Sequence, residues 1–267
     1  MPKPLDEIRG REYHRCMDQV SGDGGRLDEL LVSLVHEPFS EEQRMKGARC
    51  DIFNRVYRGD GMYYGWELCK EFTDFLDGMD LEGKAALDAG CGEGRYAIYL
   101  AERGCHVTAI DISEVGLDKL VRIAEDRGLD INCILGDLRD YTFPEGTYDI
   151  VVAATVLGHL EDGTRKRVVA GIKRTLAPGG IVYLNVFTVD DPGYRVQRGG
   201  RSGEGHMESG VSDTSMCVEY YYRPNELRRE FKDLEILYYS EGMQRDSSHG
   251  TPHYHGLARM IAKKPGG

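Results

Sequence analysis

The stretch LDAGCGEGR, residues 87–95, sets an apolar run, a carboxylate and three alternate glycines side by side. Gly90, Gly92 and Gly94 form G-x-G-x-G between a candidate strand, KAALDAG, and a candidate helix, RYAIYLAERG. Glycines allow a tight turn and close approach of a ligand to the backbone. The helix that follows offers unpaired N–H groups and the positive end of its dipole. On its own the run is equally well a plain tight turn, so the flanking sequence has to decide. Asp111 closes the next apolar run, HVTAIDIS, 21 residues after Gly90. A carboxylate there can accept hydrogen bonds from two ribose hydroxyls. Asp137 closes a third run, INCILGD, where a carboxylate can accept from an adenine amino group. A dinucleotide site asks for G-x-G-x-x-G, and Arg95 stands where its last glycine belongs. This counts against the rival reading, a NAD-linked oxidoreductase.

Working outward, strand and helix patterns alternate. Ser113 can cap the helix EVGLDKLVRIAEDRG, YDIVVAATVLGHL contains a β-branched strand, GTRKRVVAGIKRTLAPGG reads as a helix and GIVYLNVF as a strand. Nearly continuous apolar strands alternating with helices predict an α/β fold with a mostly parallel sheet covered on both faces. Right-handed crossovers then bring the carboxyl ends of the strands to one edge, where a ligand crevice forms. Upstream, residues 1–24 read as a polar arm, followed by helical patterns in RLDELLVSLVHEP, in SEEQRMKGARCDIFNRVYRGDG with a Ser40/Gln43 capping box, and in GWELCKEFTDFLDGM. We therefore divide the chain into an N-terminal arm and helical cap, 1–79, and a nucleotide-binding domain, 80–267, with a Gly- and Ser-rich insert near 191–223. RPNELRREF reads as a short helix, and DLEILYYSEGM and YHGLARMIAKK as closing strands.

Composition narrows the function classes. The net charge is −11, with no clear basic run, so a nucleic-acid partner is not expected. The seven cysteines are scattered without C-x-x-C, which fits a reducing, cytoplasmic setting. No apolar run reaches the roughly 18–20 residues of a membrane span, so no membrane partner is expected.

LDAGCGEGRYAIYLAERG, VTAIDIS, GDL, YDIVVAATVLGHL and LAPGGIVYLNVF, in this order over about residues 80–190, resemble the class I S-adenosylmethionine-dependent methyltransferases. CGEGRYAIYLAERG, DDPG and RPNELRREFKDLEILYYSEG look closest to the tellurite-resistance-type small-molecule enzymes within that group. The resemblance implies a Rossmann-like sheet of seven strands, the last antiparallel, with helices on both faces. It also implies S-adenosylmethionine as methyl donor and S-adenosylhomocysteine as product. Asp88, Gly90 and Gly92, with Gly94 of the same loop, would lie near the methionine moiety. Asp111 would lie at the ribose, and Asp137 and Leu138 at the adenine, with Ile112 also in the cofactor site.

Methyl transfer from a sulfonium is an in-line displacement, so the protein mainly aligns the reactants and excludes water. A general base helps only where the nucleophile has a proton to lose. His159, after the fourth strand, is one candidate base or pocket wall. His253 and His255 are two others: DSSHGTPHYHG, residues 246–256, joins the sixth strand to the seventh at the ligand edge, and these two histidines share one strand face. H-x-x-x-H-x-H is compatible with a metal but not specific for one. The spacing therefore assigns no metal ligand. Packing is the plainer reading for Cys91, for Tyr63, Tyr64 and Trp66, and for Tyr220, Tyr221 and Tyr222 with Arg223, with an aromatic lid as the alternative for the two tyrosine-bearing groups. The function expected is methyl transfer to a small-molecule acceptor bearing a thiol, metalloid or other heteroatom. A protein side-chain methyltransferase and a non-catalytic S-adenosylmethionine-binding protein are the alternatives.

Overall fold

The computed structural model describes residues 52–197, 217–246 and 252–266. The N-terminal arm, the helices expected before residue 52, the middle of the 191–223 insert and His249 lie outside these residues. The chain divides into two compact units, Met1–Met45 and Lys46–Gly267, and the second holds every described residue.

Seven strands form one sheet in the order β3-β2-β1-β4-β5-β7-β6. They are β1 (Ala85–Ala89), β2 (His106–Asp111), β3 (Ile131–Leu135), β4 (Tyr148–Ala154), β5 (Leu176–Phe187), β6 (Glu235–Asp246) and β7 (His253–Lys263). β1 pairs in parallel with β2 and β4, β2 with β3, and β4 with β5. β7 runs antiparallel between β5 and β6. This is the Rossmann-like arrangement expected, with the seventh strand reversed. The helices are α1 (Lys70–Leu76), α2 (Arg95–Ala101), α3 (Glu114–Arg127), α4 (Asp162–Thr175), α5 (Pro192–Gln197) and α6 (Glu226–Glu230). Among the described residues no helix is long and apolar enough to cross a membrane.

Strand alternation sorts the core into two layers. Leu87, Val151, Val182 and Leu184 face one layer, with Val168, Val169 and Ile172 of α4 packed on it. Ala86, Ile150, Val152, Ile181 and Tyr183 face the other, under Phe72 and Leu76 of α1, Ile98 and Leu100 of α2 and Leu120 of α3. Successive strand residues point to opposite faces, so a strand covered on both sides must be apolar throughout. α1 therefore contributes to the same core as the sheet, from residues assigned by sequence to the cap. Ser113 caps α3 as expected, its Oγ accepting from Gly116 N at 3.1 Å. The helix expected over 163–180 is shorter: α4 stops at Thr175 and β5 begins at Leu176. Pro178 has no N–H to extend the helix, and a register shift between Tyr148 and Ile150 absorbs the AlaProGlyGly segment.

Arg165, on α4, is 1% exposed. It pairs with Glu230 of α6 at 2.5 Å and with Asp162 at 2.8 Å, and donates to the Tyr222 hydroxyl at 3.1 Å. Tyr220 stacks over its guanidinium at 4.0 Å. These tyrosines thus serve packing: Tyr222 is fully buried and Tyr221 nearly so, while Arg223 is exposed. Removing one partner of a buried pair strands the other charge, at about 3–5 kcal/mol. Arg165→Ala is expected to lower unfolding stability by that amount in urea titrations, and Arg165→Lys to recover little of it, since ammonium cannot reproduce the planar fork.

Candidate active site

The carboxyl ends of β1, β2, β4 and β5 open onto a crevice of three adjoining cavities, and Tyr64 and Thr155 line all three. The first is half-open and mostly apolar in its lining. Asp111, Ile112, Asp137, Leu138, His159 and Gly90 line it, along with Phe53 and Tyr57 from the segment before β1. The second is lined by Asp88 and the glycine loop 90–94, with Arg95 and Tyr57. Every residue expected to hold the donor therefore lies on these two neighbouring cavities.

The glycine loop needs its glycines. Gly90, Gly92 and Gly94 have φ of 77°, 56° and 83°, a region side chains with Cβ rarely adopt. A Cβ at Gly90 would lie 2.4 Å from the Val156 side chain. The Asp111 carboxylate, 9% exposed, accepts from Gly92 N and from Ser113 N, each at 2.8 Å. Burial pushes this carboxyl above its usual range, while those two N–H groups pull it back. Asp137 accepts from Arg139 N at 2.9 Å and Arg139 Nε at 2.7 Å. The same carboxylate is also paired with Arg139 Nη2 at 2.5 Å. The donor set, two carboxylates at a tight backbone turn, fits a nucleoside carrying a cationic amino-acid tail.

The third cavity is more polar. His255, Asp246, Arg259, Asn185 and Arg95 line it, with Phe187. His255 is thus brought to the crevice, as the topology of the β6–β7 turn predicts. His253 is 8% exposed and sits behind His255, with the two Nε2 atoms 2.9 Å apart. His159 is elsewhere: its Nδ1 contacts the Cys217 carbonyl at 3.1 Å and its ring meets Phe53 edge-on. The three histidines therefore divide between the two ends of the crevice. Of the aromatic residues before β1, Tyr64 faces the crevice, whereas Trp66 is exposed and stacks with Arg127 at 4.9 Å. Cys91 sits in the glycine loop, and burial raises its thiol well above the usual value, which suits packing rather than nucleophilic work.

Three residues at the junction were not singled out as site residues by sequence. Thr155 has φ of +58°, and its N–H donates to Asn185 Oδ1 at 2.6 Å. Asn185 is 5% exposed; a lone amide inside the apolar strand GIVYLNVF was the available signal. Arg95 donates to the Tyr64 and Glu67 carbonyls, each at 3.0 Å. Its position after the glycines served only to exclude a dinucleotide.

Asp88 is 1% exposed and accepts from Ala97 N at 3.0 Å. Burial raises its carboxyl to about 7. The folded protein therefore holds this proton up to near pH 7, while the unfolded chain releases it near 3.9. Between those values the folded state binds more protons, so this residue's contribution to stability falls as pH rises and levels off above 7. Asp88→Asn removes the buried charge. Denaturant unfolding of the ligand-free protein is expected to show the variant gaining on the parent from pH 5 to pH 8, and a constant difference would refute the assignment.

Comparison with known proteins agrees with this geometry. Residues 86–180 match the family model described as a methyltransferase domain. The cypemycin N-terminal methyltransferase of Streptomyces sp is 37% identical over 107 residues, 39% of this chain and 42% of its own length. The chain thus spans less than half of that relative. In fold, the chain is similar to TehB from Haemophilus influenzae, with a TM-score of 0.59 and 22% identity over 80% of this chain and 66% of that one. It is also similar to the 1,6-didemethyltoxoflavin-N1-methyltransferase of Burkholderia thailandensis, with a TM-score of 0.57 and 19% identity over 86% and 93%.

Proposed function

We propose that this chain, whose residues 86–180 match the methyltransferase-domain family model, transfers a methyl group from S-adenosylmethionine to a small-molecule nucleophile. The observation that carries this reading is the convergence of the three cavities on Tyr64 and Thr155. Two of them have the residues a nucleoside and an amino-acid tail would need, and the third is a polar recess for an acceptor.

In this reading Asp137, Leu138 and Ile112 hold the adenine side, Asp111 the ribose, and Asp88 with the glycine loop and Arg95 the methionine portion. S-adenosylmethionine brings a methyl group already activated by the positive sulfur. What is left for the chain is alignment and exclusion of water. Tyr57 and Tyr64 cover the crevice from the N-terminal side, and Thr155, held by Asn185, forms the junction with the acceptor recess. His255 faces the acceptor, with His253 behind it. His159 forms a wall on the adenosine side. The Burkholderia relative is described with bound S-adenosylhomocysteine and its acceptor, which supports both the donor and a small acceptor. The name of the Streptomyces relative makes a polypeptide amine the second reading. Intact-mass analysis of candidate partners, looking for the mass of one added CH2, separates the two.

Asp111→Asn keeps the volume but sets an NH2 group against one of the two backbone N–H donors. Losing charge-assisted hydrogen bonds of this kind removes about 3 kcal/mol, or roughly a hundredfold in Kd. Calorimetry is expected to find S-adenosylhomocysteine bound by the parent at micromolar Kd and weakened to that extent in the variant. No binding by the parent at high micromolar concentration would sink the proposal.

A further inference from the structure

The mouth of the β6–β7 hairpin holds a cluster that alignment and water exclusion do not require. We propose that Asp246, His253 and His255 bind a divalent transition-metal ion of the zinc class, with Asp191 positioning His255, and that the ion's open coordination site faces the acceptor recess.

The sheet register brings the ligands together. Asp246 pairs directly with His253 across the two strands, and His255, two residues on, shares that face. One ligand atom from each lies within 4.8 Å of the others. The two Nε2 atoms are 2.9 Å apart, with the rings nearly perpendicular at 83°. Two nitrogens about 2.0–2.1 Å from one tetrahedral ion sit about 3.3 Å apart, so a shift of about half an ångström would seat the ion.

Asp191 supplies the support that a ligating histidine needs. Its Oδ2 lies 2.8 Å from His255 Nδ1, with the two side chains 2% and 4% exposed. The same carboxylate is pinned by Gly256 N at 3.1 Å and Gly193 N at 2.8 Å. A Cβ at Gly256 would lie 2.4 Å from Asp191 N, so glycine is what permits this approach. A carboxylate on Nδ1 holds the proton there and leaves the Nε2 lone pair for a metal, the usual arrangement behind metal-bound histidines.

Two imidazoles and one carboxylate suit a borderline metal rather than magnesium or calcium. Three protein ligands leave a position open, as in catalytic rather than structural sites. Asp246 and His255 both line the third cavity, so that position opens on the acceptor. The acceptor class follows from this, and it rests on the methyltransferase reading: a small molecule with a thiol or hydroxyl that can ligate the ion. On ligation its proton passes to solvent. The heteroatom lone pair then forms the new bond to the methyl carbon. The sulfonium C–S bond breaks, its electrons stay on sulfur, and a neutral thioether remains.

The test uses the untagged full chain, stripped with a chelator and titrated with Zn²⁺ by calorimetry and with Co²⁺ by visible absorption. One equivalent bound at about 1 μM or tighter is expected. His253→Ala and His255→Ala should each weaken binding at least about a hundredfold, and Asp191→Asn about 10–100-fold. All three should retain S-adenosylhomocysteine affinity, which shows that they fold. Where an alanine variant fails that control, His253→Gln or His255→Gln replaces it. No stoichiometric metal in the parent, or equal affinity in the variants, overturns the site and leaves an Asp191–His255–His253 hydrogen-bonded chain. Metal binding without S-adenosylhomocysteine binding would keep the site and sink the methyltransferase reading; the converse would sink the site alone.

Discussion

The Asp111 carboxylate ties the crevice together. One oxygen accepts from Gly92 N in the loop after β1 and the other from Ser113 N at the start of α3. A buried carboxylate must have such partners or bear a large desolvation penalty. Here those bonds also fix where the glycine loop sits over the end of β2. Ser113 carries the connection on: its Oγ contacts Asn54 Oδ1 at 2.7 Å, which brings the segment bearing Phe53 and Tyr57 onto the same crevice. Loop, helix start and covering segment thus share one anchor.

Much of this arrangement was legible in the sequence because parallel strands buried on both faces admit few polar residues. Each interruption of an apolar run therefore marks an edge. Asp88 lies within β1, Asp111 ends β2, and Asp137 follows β3; these acids line the first two cavities. The β6–β7 turn was placed at the ligand edge by the strand directions that the resemblance implies, and the ladders agree. What could not be read depends on contacts between distant segments. Asp191 stands 64 residues before His255, and nothing in the DDPG motif announces that partner. Thr155 takes a left-handed conformation because it is held by Asn185 from the neighbouring strand, and a threonine carries no local sign of this. Tyr64 reads as a packing residue, with a lid as the alternative, until the sheet gives it something to cover.

The crevice has a chemical gradient along its length. At the β1–β3 end, backbone N–H groups and carboxylates arranged around fixed glycines leave little freedom for adaptation. At the β5–β7 end the lining consists of side chains: Asn185, Arg95, Arg259, His255 and Asp246. Side chains can be exchanged without moving the backbone, whereas a loop held by positive-φ glycines cannot. Thr155 stands between the two ends, in a conformation that a β-branched residue adopts only when its surroundings impose it.

The insertion of β7 between β5 and β6 has a consequence for the order in which the protein is made. β1 to β5 leave the ribosome as one continuous stretch that pairs within itself, with β5 alone still lacking its β7 neighbour, so the floor of the donor crevice can assemble while translation proceeds. β6 cannot join at that stage, because its place in the sheet is separated from β5 by a strand not yet synthesised. It waits for β7 and closes long-range pairings late. The wall bearing Asp246, His255 and Arg259 is therefore the last part of the crevice to form, added to a nucleotide-binding half that already has its shape.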